Sequence, residues 1–279
     1  MIYTLTLNPA LDYDVYLDNF SEGDLNLSKE INIRAGGKGI NVSKVLANLD
    51  LSSKALGFTG GFIGDFIKKD LETQNIDTDF VSLDGITRIN VKINNNNKET
   101  EIAGLSPKIP DFKKDELVKK LMNLKDGDTL ILSGSIPDSL TKDIYKEISK
   151  KVPENVKIVL DTRGNLLDEN IHNNFLIKPN IKELEEMFEM DLDTTAKVIE
   201  KCKYFLDKNI KNIIVSMGGK GALYINSNGA YTAEVPKGTL INSVGAGDSM
   251  VAGFVAGFEL GKLPEEAFNL AVAAGSATA

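Results

Sequence analysis

The feature that most constrains this chain is a repeated alternation of short apolar runs with segments of helical periodicity. Leu130-Ile131-Leu132, Ile158-Val159-Leu160, Phe175-Leu176-Ile177 and Ile213-Ile214-Val215 carry no polar side chain. Runs of this kind suit strands covered on both faces. Between them, Leu140 to Lys150 and Thr194 to Leu206 place apolar residues at three- and four-residue spacing. The alternation predicts an α/β fold with a mostly parallel sheet and helices on both faces. Such sheets bind ligands beyond the carboxyl ends of their strands, so strand-end loops are where functional residues belong. The 279 residues suffice for one large domain, read here as a single unit over 1–279.

Two segments break the rhythm, at about 13–34 and about 87–103. Both alternate apolar and polar side chains. Val91-Lys92-Ile93 followed by Asn94 to Asn97 and then Lys98 to Ile102 predicts a hairpin with a polar turn. These segments read either as an extra edge hairpin or as a small β-sheet flap over the site.

Composition removes several function classes. The single cysteine, Cys202, excludes an intrachain disulfide and reads as a buried structural thiol in a reducing cytoplasm. The single histidine, His172, lies in a polar stretch with no triad pattern around it. No Cys/His cluster suits zinc. Lysine and arginine total 32 against 40 acids, a net charge of −8 that opposes nonspecific nucleic-acid binding. No run of about 18 apolar residues predicts a membrane span. Met1 to Leu7 reads as a first strand rather than a signal peptide. The pattern from Glu265 to Ala279 is helical but carries no stop signal, so part of the domain is expected beyond the last residue.

The most informative stretch is Asn242-Ser243-Val244-Gly245-Ala246-Gly247-Asp248-Ser249. It precedes a helical pattern with Met250, Val251, Phe254, Val255 and Phe258 on one face and small residues on another. Glycines at a helix start leave backbone N–H groups free to meet an anion, and the helix dipole favours negative charge there. Asp248 reads as a helix cap or as a general base beside that anion hole. A cap alone does not need two flanking glycines. No Gly-Lys-Ser/Thr forms a Walker A loop, and no G-x-G-x-x-G follows a strand, which excludes a dinucleotide fingerprint.

Gly36-Gly37-Lys38-Gly39-Ile40-Asn41 opens another helical pattern, either as a tight turn or as close backbone approach to a sugar, with Lys38 and Asn41 facing it. Asp12, read as ending the first strand, is a turn former or a holder of sugar hydroxyls. Ser216-Met217-Gly218-Gly219-Lys220-Gly221 lies between two strands, as a hairpin turn or as a loop covering nucleotide phosphates.

Together these stretches resemble the ribokinase-like (PfkB-type) carbohydrate kinases. The Gly36–Asn41 stretch is similar to the first family signature, and Asn242 through Phe254 to the second. Asn180-Ile181-Lys182-Glu183 matches the N-x-x-E motif. The opening Thr6 to Asp12 is similar to that of 1-phosphofructokinases and tagatose-6-phosphate kinases, while Thr87 to Lys92 followed by Glu99 to Ile102, and Ser133 to Pro137, look more like 1-phosphofructokinase. The resemblance implies a ribokinase-like three-layer sandwich whose two irregular segments form a β-sheet lid. It implies phosphoryl transfer from ATP, with Mg2+, to fructose 1-phosphate. A tagatose-6-phosphate kinase and a non-catalytic sugar-phosphate-binding protein stay open as alternatives.

Carried over residue by residue, Asp248 is the base, and Gly245, Ala246 and Gly247 form the anion hole. Asp12, Gly37 and Asn41 hold sugar hydroxyls, while Lys38 and Arg88 meet the substrate phosphate with Asn90 nearby. Asn180 and Glu183 tune the nucleotide and magnesium, Glu183 through water. Ser216, Met217, Gly218, Gly219, Lys220 and Gly221 lie along the nucleotide with Gly247 and Asp248. The resemblance also implies a homodimer through the lid and allows a monovalent cation. Arg163 stands where a small residue is more usual, and Ala103-Gly104-Leu105 departs from the branch's Asn-Gly-Pro pattern.

Overall fold

The protein is described by a computed structural model covering residues 1–95, 98–240 and 242–279. β1 (Ile2–Thr6) leads into β2 (Ala10–Leu17), β3 (Glu30–Gly36) and α1 (Lys38–Asn48). Then come β4 (Ser53–Gly60), α2 (Gly61–Glu72), β5 (Asp77–Thr78), β6 (Val81–Leu83), β7 (Arg88–Asn95) and β8 (Lys98–Ile102). The middle of the chain holds α3 (Asp111–Leu121), β9 (Thr129–Ser133), α4 (Ile144–Lys151), β10 (Lys157–Asp161), α5 (Asn165–Asn170), β11 (Leu176–Ile177), α6 (Ile181–Phe188) and α7 (Thr195–Asp207). The last part runs through β12 (Asn212–Ser216), β13 (Ala222–Asn226), β14 (Gly229–Ala233), α8 (Ala246–Glu259) and α9 (Pro264–Thr278).

The main sheet has the order β14-β13-β12-β11-β10-β9-β1-β4-β5, with β6 also beside β4. Pairing is parallel from β12 through β4, and antiparallel at β12-β13-β14. The apolar runs explain this layering. Leu130 and Leu132 pack into one core, while Ile131 packs into the core on the opposite face. A strand that alternates between two cores must be covered on both sides. Thr194 caps α7 by accepting from the Lys197 N–H at 3.4 Å. Leu140 is buried in the core but lies before α4, which starts at Ile144; the Leu140 N–H donates to the Pro137 carbonyl at 2.9 Å in a turn ahead of the helix.

The two irregular segments pair with each other in a separate sheet of order β3-β2-β7-β8. β2 and β7 run parallel from Ala10 beside Arg88 to Leu17 beside Asn95. The expected hairpin is β7-β8, though Asn96 and Asn97 of its polar turn lie outside the described residues. One expectation is corrected here. Asp12 does not end the first strand; it is the third residue of β2, because Asn8 and Pro9 have already broken the chain away from β1.

α8 is buried over ten consecutive residues, Asp248 to Gly257. It packs on α9 closely enough that a Cβ on Gly257 would lie 2.6 Å from the Ala267 Cα. On the other side, the fully buried Phe254 ring meets Tyr224 at 5.6 Å and Phe175 at 6.3 Å between centroids. α8 is therefore fixed against the sheet. Among the described residues no helix is long and apolar enough to cross a membrane. Phe254→Ala should lower stability by about 3–5 kcal/mol, read by urea unfolding, because the cavity is enclosed by α9 and two aromatic rings.

Candidate active site

Gly245 takes the left-handed conformation at φ 83°, which glycine adopts without Cβ strain, and so turns the chain into α8. The Ala246 N–H is satisfied by the Ser243 carbonyl at 3.2 Å. The N–H groups of Gly247 and Asp248 donate to no carbonyl among the described residues. Of the expected Gly245–Gly247 cradle, the Ala246 N–H is thus occupied and the Gly247 N–H is free, and Asp248 adds a free donor one residue further along. Gly37 caps α1 and accepts from the Asn41 N–H at 2.9 Å.

The two helix starts meet. Asn41 Nδ2 donates to Asp248 Oδ2 at 2.8 Å. Lys38 Nζ lies 3.2 Å from both carboxylate oxygens of Asp161, which ends β10. Lys178, just past β11, lies 3.5 Å from Asp161 Oδ1. Burial pushes the Asp248 carboxyl up to about 6, and the negative Asp161 pushes the same way. Lys38, the Asn41 hydrogen bond and Lys178 oppose that rise. For Lys38, burial alone would lower the pKa, but Asp161, Asp248 and Glu183 outweigh it and hold the ammonium above its ordinary value. Asp161 is pushed up by burial, yet Lys178 and Lys38 hold it below the usual carboxylate range.

A second group sits on the small sheet. Asp12 Oδ1 accepts from Asn90 Nδ2 at 3.0 Å, and Oδ2 lies 3.8 Å from both Lys92 Nζ and Arg34 Nη2. Arg34 also pairs with Asp14. Arg88 Nη2 donates to the Asn8 carbonyl at 3.1 Å, which ties the small sheet to the end of β1. Burial lowers the Arg88 pKa, Asp12 and Glu101 oppose that, and the positive Arg163 adds to it.

A third group lies past β11. Asn180 Oδ1 accepts from the Glu183 N–H at 2.9 Å, and Glu183 Oε2 accepts from the Asn180 N–H at 2.8 Å. The motif is therefore a reciprocal capping box on α6. Glu183 Oε1 has no hydrogen-bond partner among the described residues, and the Glu183 carboxylate is near enough to Lys38 to raise it. The Ser216 N–H donates to the Pro179 carbonyl at 3.1 Å, so the loop Ser216–Gly221 starts beside Asn180. Gly218, Gly219 and Lys220 form an exposed single turn, closed by the Met217 N–H on the Gly221 carbonyl at 2.9 Å.

Asp248 and Asn41 are thus directly joined, with Lys38 held beside them by Asp161; Asp12 and Asn90 join on the small sheet, Arg88 reaches the Asn8 carbonyl, and the capping box adjoins the 216–221 loop. Asp161 and Lys178 had no assigned role in the sequence reading. Their signal was available: each is a charged residue placed directly after or at the end of an apolar strand run. Among the described residues no cluster of three or more His, Cys, Asp or Glu could hold a metal. The free N–H groups of α8, the buried Lys178 ammonium and the partly exposed Lys38 ammonium fit a polyphosphate, and Glu183 Oε1 fits a magnesium-bound water.

The pfkB family carbohydrate kinase profile matches residues 5–279. The chain belongs to this family. The 1-phosphofructokinase of Borreliella burgdorferi is 46% identical over 281 residues, covering 100% of this chain and 92% of that protein. The D-tagatose-1-phosphate kinase of Bacillus licheniformis is 39% identical over 282 residues, covering 100% and 92%. The tetrameric inhibited form of phosphofructokinase-2 from Escherichia coli superposes with a TM-score of 0.91 at 26% identity, covering 99% of this chain and 93% of that one. The pfkB kinase fold thus extends over the whole chain.

The raised Asp248 pKa carries a stability cost with a defined sign. The folded protein holds this proton up to about pH 6, whereas the free carboxyl releases it near 3.8. The folded state therefore binds more protons between those values, and stability falls as pH rises through that window. Asp248→Asn should be the more stable protein at pH 8, by up to about 3 kcal/mol, with the difference vanishing below the ordinary carboxyl pKa. Paired urea titrations at pH 8 and pH 3.5 check this.

Proposed function

We propose that this chain phosphorylates fructose 1-phosphate at its free primary hydroxyl, using ATP and giving fructose 1,6-bisphosphate and ADP. The observation that carries the reading is the carboxyl of Asp248. It sits in the first turn of α8 beside free N–H groups, joined to Asn41 and close to Lys38. The full-length similarity to a 1-phosphofructokinase supports the choice of sugar phosphate.

In this reading Asp248 accepts the hydroxyl proton as the sugar oxygen bonds to the γ-phosphorus. The bond from that phosphorus to the bridging oxygen breaks, and ADP leaves. The N–H groups of Gly247 and Asp248, at the turn opened by Gly245 and Ala246, face the charge that develops. Asp12 and Asn90 bind sugar hydroxyls with Asn41 and the backbone at Gly37, and Arg88 binds the 1-phosphate. Ser216 to Gly221 covers the nucleotide phosphates. Magnesium, when bound, offsets charge on the nucleotide phosphates, and Asn180 and Glu183 would hold it through water. A base with a pKa near 6 is ionised at neutral pH and still basic enough to take the proton.

An ADP-release assay with Mg2+ and a panel of fructose and tagatose phosphates tests the assignment. Fructose 1-phosphate should give the highest kcat/KM. The similarity to a D-tagatose-1-phosphate kinase makes the epimeric ketose 1-phosphate the second candidate, and its preference in the panel would reverse the assignment. Asp248→Asn should cut kcat by about 10²–10⁴-fold while ATP binding persists. No ADP release with any ketose phosphate would favour a sugar-phosphate-binding protein instead.

The small sheet supports a homodimer. One of its faces carries the cross-strand row Ile33, Tyr13, Val91 and Ile102. Ile33 and Ile102 are 50% and 56% exposed. The other face carries Arg34, Asp12 and Asn90 in register, with Asp12 and Asn90 buried. An apolar outer face over a charged inner one suits a second copy of the same sheet. Ile33→Glu should give the monomer mass in sedimentation experiments at concentrations where the unaltered chain is dimeric.

A further inference from the structure

The chain leaves the small sheet for the main domain through Gly36-Gly37, and two adjacent glycines there leave the main chain free to bend. Close contact demands both. A Cβ on Gly36 would lie 2.5 Å from the Asp12 Cγ, and one on Gly37 would lie 2.6 Å from the Thr6 Cγ2. The junction matters because groups on both sides of it face one site. Asp12 lies against it from β2, and Lys38 and Asn41 follow it at the start of α1. Something other than the glycines must hold it in place.

Lys44 of α1 and Asp70 of α2 supply that hold, and the reaction as written uses neither. β3 is an edge strand of the small sheet, so alternate residues turn their N–H and C=O away from β2. At Ala35, the residue before Gly36, both groups are taken. The Ala35 N–H donates to Asp70 Oδ2 at 3.3 Å, and the Ala35 carbonyl accepts from Lys44 Nζ at 3.1 Å. Lys44 Nζ also donates to Asp70 Oδ2 at 2.8 Å, which closes a ring of three hydrogen bonds. Ala35 is fully buried, and the two charged side chains are only 19% and 23% exposed. Water therefore competes little with the ring. Lys44 lies one helical turn beyond Asn41, which reaches Asp248 at 2.8 Å. The helix that presents Asn41 to the base is thus the helix that grips the strand end beside Asp12.

We propose that Lys44 and Asp70 are positioning residues whose grip on the Ala35 peptide groups fixes Asp12 relative to Lys38 and Asn41, so that the sugar hydroxyl meets Asp248. The proposal deepens the kinase reading and rests on it. Neither side chain touches substrate. Together they act as one more strand residue beside the edge. The carboxylate stands in for a carbonyl and the ammonium for an N–H, which locks α1 and α2 to the end of β3. A displacement of about 1 Å between reacting groups costs about 10²-fold in rate, so a small loosening of this junction is enough to be measured.

A pair that only stabilised the fold would act through its two charges. Removing one partner strands the other in a partly buried place, whereas removing both relieves that penalty. A pair that positions the strand acts through its hydrogen bonds to Ala35. Removing both partners then leaves the N–H and carbonyl of Ala35 without their grip. The two roles give opposite outcomes in a double variant.

The experiment measures steady-state kinetics with fructose 1-phosphate, ATP and Mg2+, well below the melting temperature. It compares the unaltered chain, Lys44→Met, Lys44→Arg and the double variant carrying Lys44→Met with Asp70→Leu. Lys44→Met should lower kcat/KM for the sugar phosphate by about 10²-fold, with the KM for ATP changed far less. Lys44→Arg keeps donors for both the carbonyl and the carboxylate and should recover most of that loss. The double variant should regain the melting temperature lost in Lys44→Met and still keep the low kcat/KM. An unaltered chain inert toward every ketose phosphate overturns the kinase reading and the positioning role with it. An active chain whose Lys44→Met variant has unaltered kinetics, or whose double variant regains kcat/KM together with stability, overturns the positioning role alone. If Lys44→Met does not fold, the double variant decides: a low sugar kcat/KM with an ordinary KM for ATP supports the role, and unaltered constants overturn it.

Discussion

Four charges held where little water reaches them, on Asp161, Asp248, Lys38 and Lys178, are the constraint around which the rest is built. Their formal sum is zero, but they are not two simple pairs. Asp161 takes both lysines, and Asp248 is left with a neutral amide from Asn41. Attraction that would have stabilised the second carboxylate is spent on the first. Burial, with Asp161 pushing the same way, raises Asp248 to about 6 against the weaker opposition of the lysines, while those same lysines hold Asp161 below its ordinary range. Two carboxylates in one cluster acquire different roles through the way the cations are shared.

The fold delivers these groups by a simple route. Asp161 ends β10 and Lys178 follows β11, which are neighbours in the parallel sheet. Parallel strands put their carboxyl ends on one side, so both charges emerge at the same edge. Lys38 and Asp248 come from helix starts that pack above that edge. α8 can bring its first turn so close because its whole length is apolar or small and is held by α9 and by Phe254. The destabilising acid is thus carried by the most thoroughly buried helix in the site, whose packing offsets its cost.

Much of this was legible in the sequence, and the reasons for the remainder are physical. The strand runs and α8 followed from periodicity, because each is buried, and the hairpin β7-β8 from alternating segments on either side of a run of asparagines. Asp12 was misplaced because Asn8 and Pro9 are turn residues whose effect on the next strand depends on pairing with β3 and β7, which is tertiary information. The Ser243 carbonyl takes the Ala246 N–H and leaves those of Gly247 and Asp248 free, a bond that no composition rule announces. Asn180 and Glu183 were read through a motif. The structure adds that they satisfy each other first and leave one carboxylate oxygen outward. Asp161 and Lys178 were visible only as interruptions at strand ends; their distance from each other required the sheet order.

The small sheet completes the argument from the opposite side. An ordinary surface sheet turns its apolar face inward, whereas here Asp12, Asp14, Asn90 and Lys92 are buried, with Ala10, Leu11 and Ala35 buried at the end next to the main domain. Ile31 and Ile33 on β3, and Ile102 on β8, are exposed. With period-2 alternation, a one-residue slip would reverse every side chain, so the inversion is fixed by register rather than by any single residue. Arg88 links that register to the main domain through Asn8 at the end of β1. The same alternation that turns carboxylate and amide groups inward therefore turns isoleucines outward, and the polar inner face and the apolar outer face are consequences of one strand pattern.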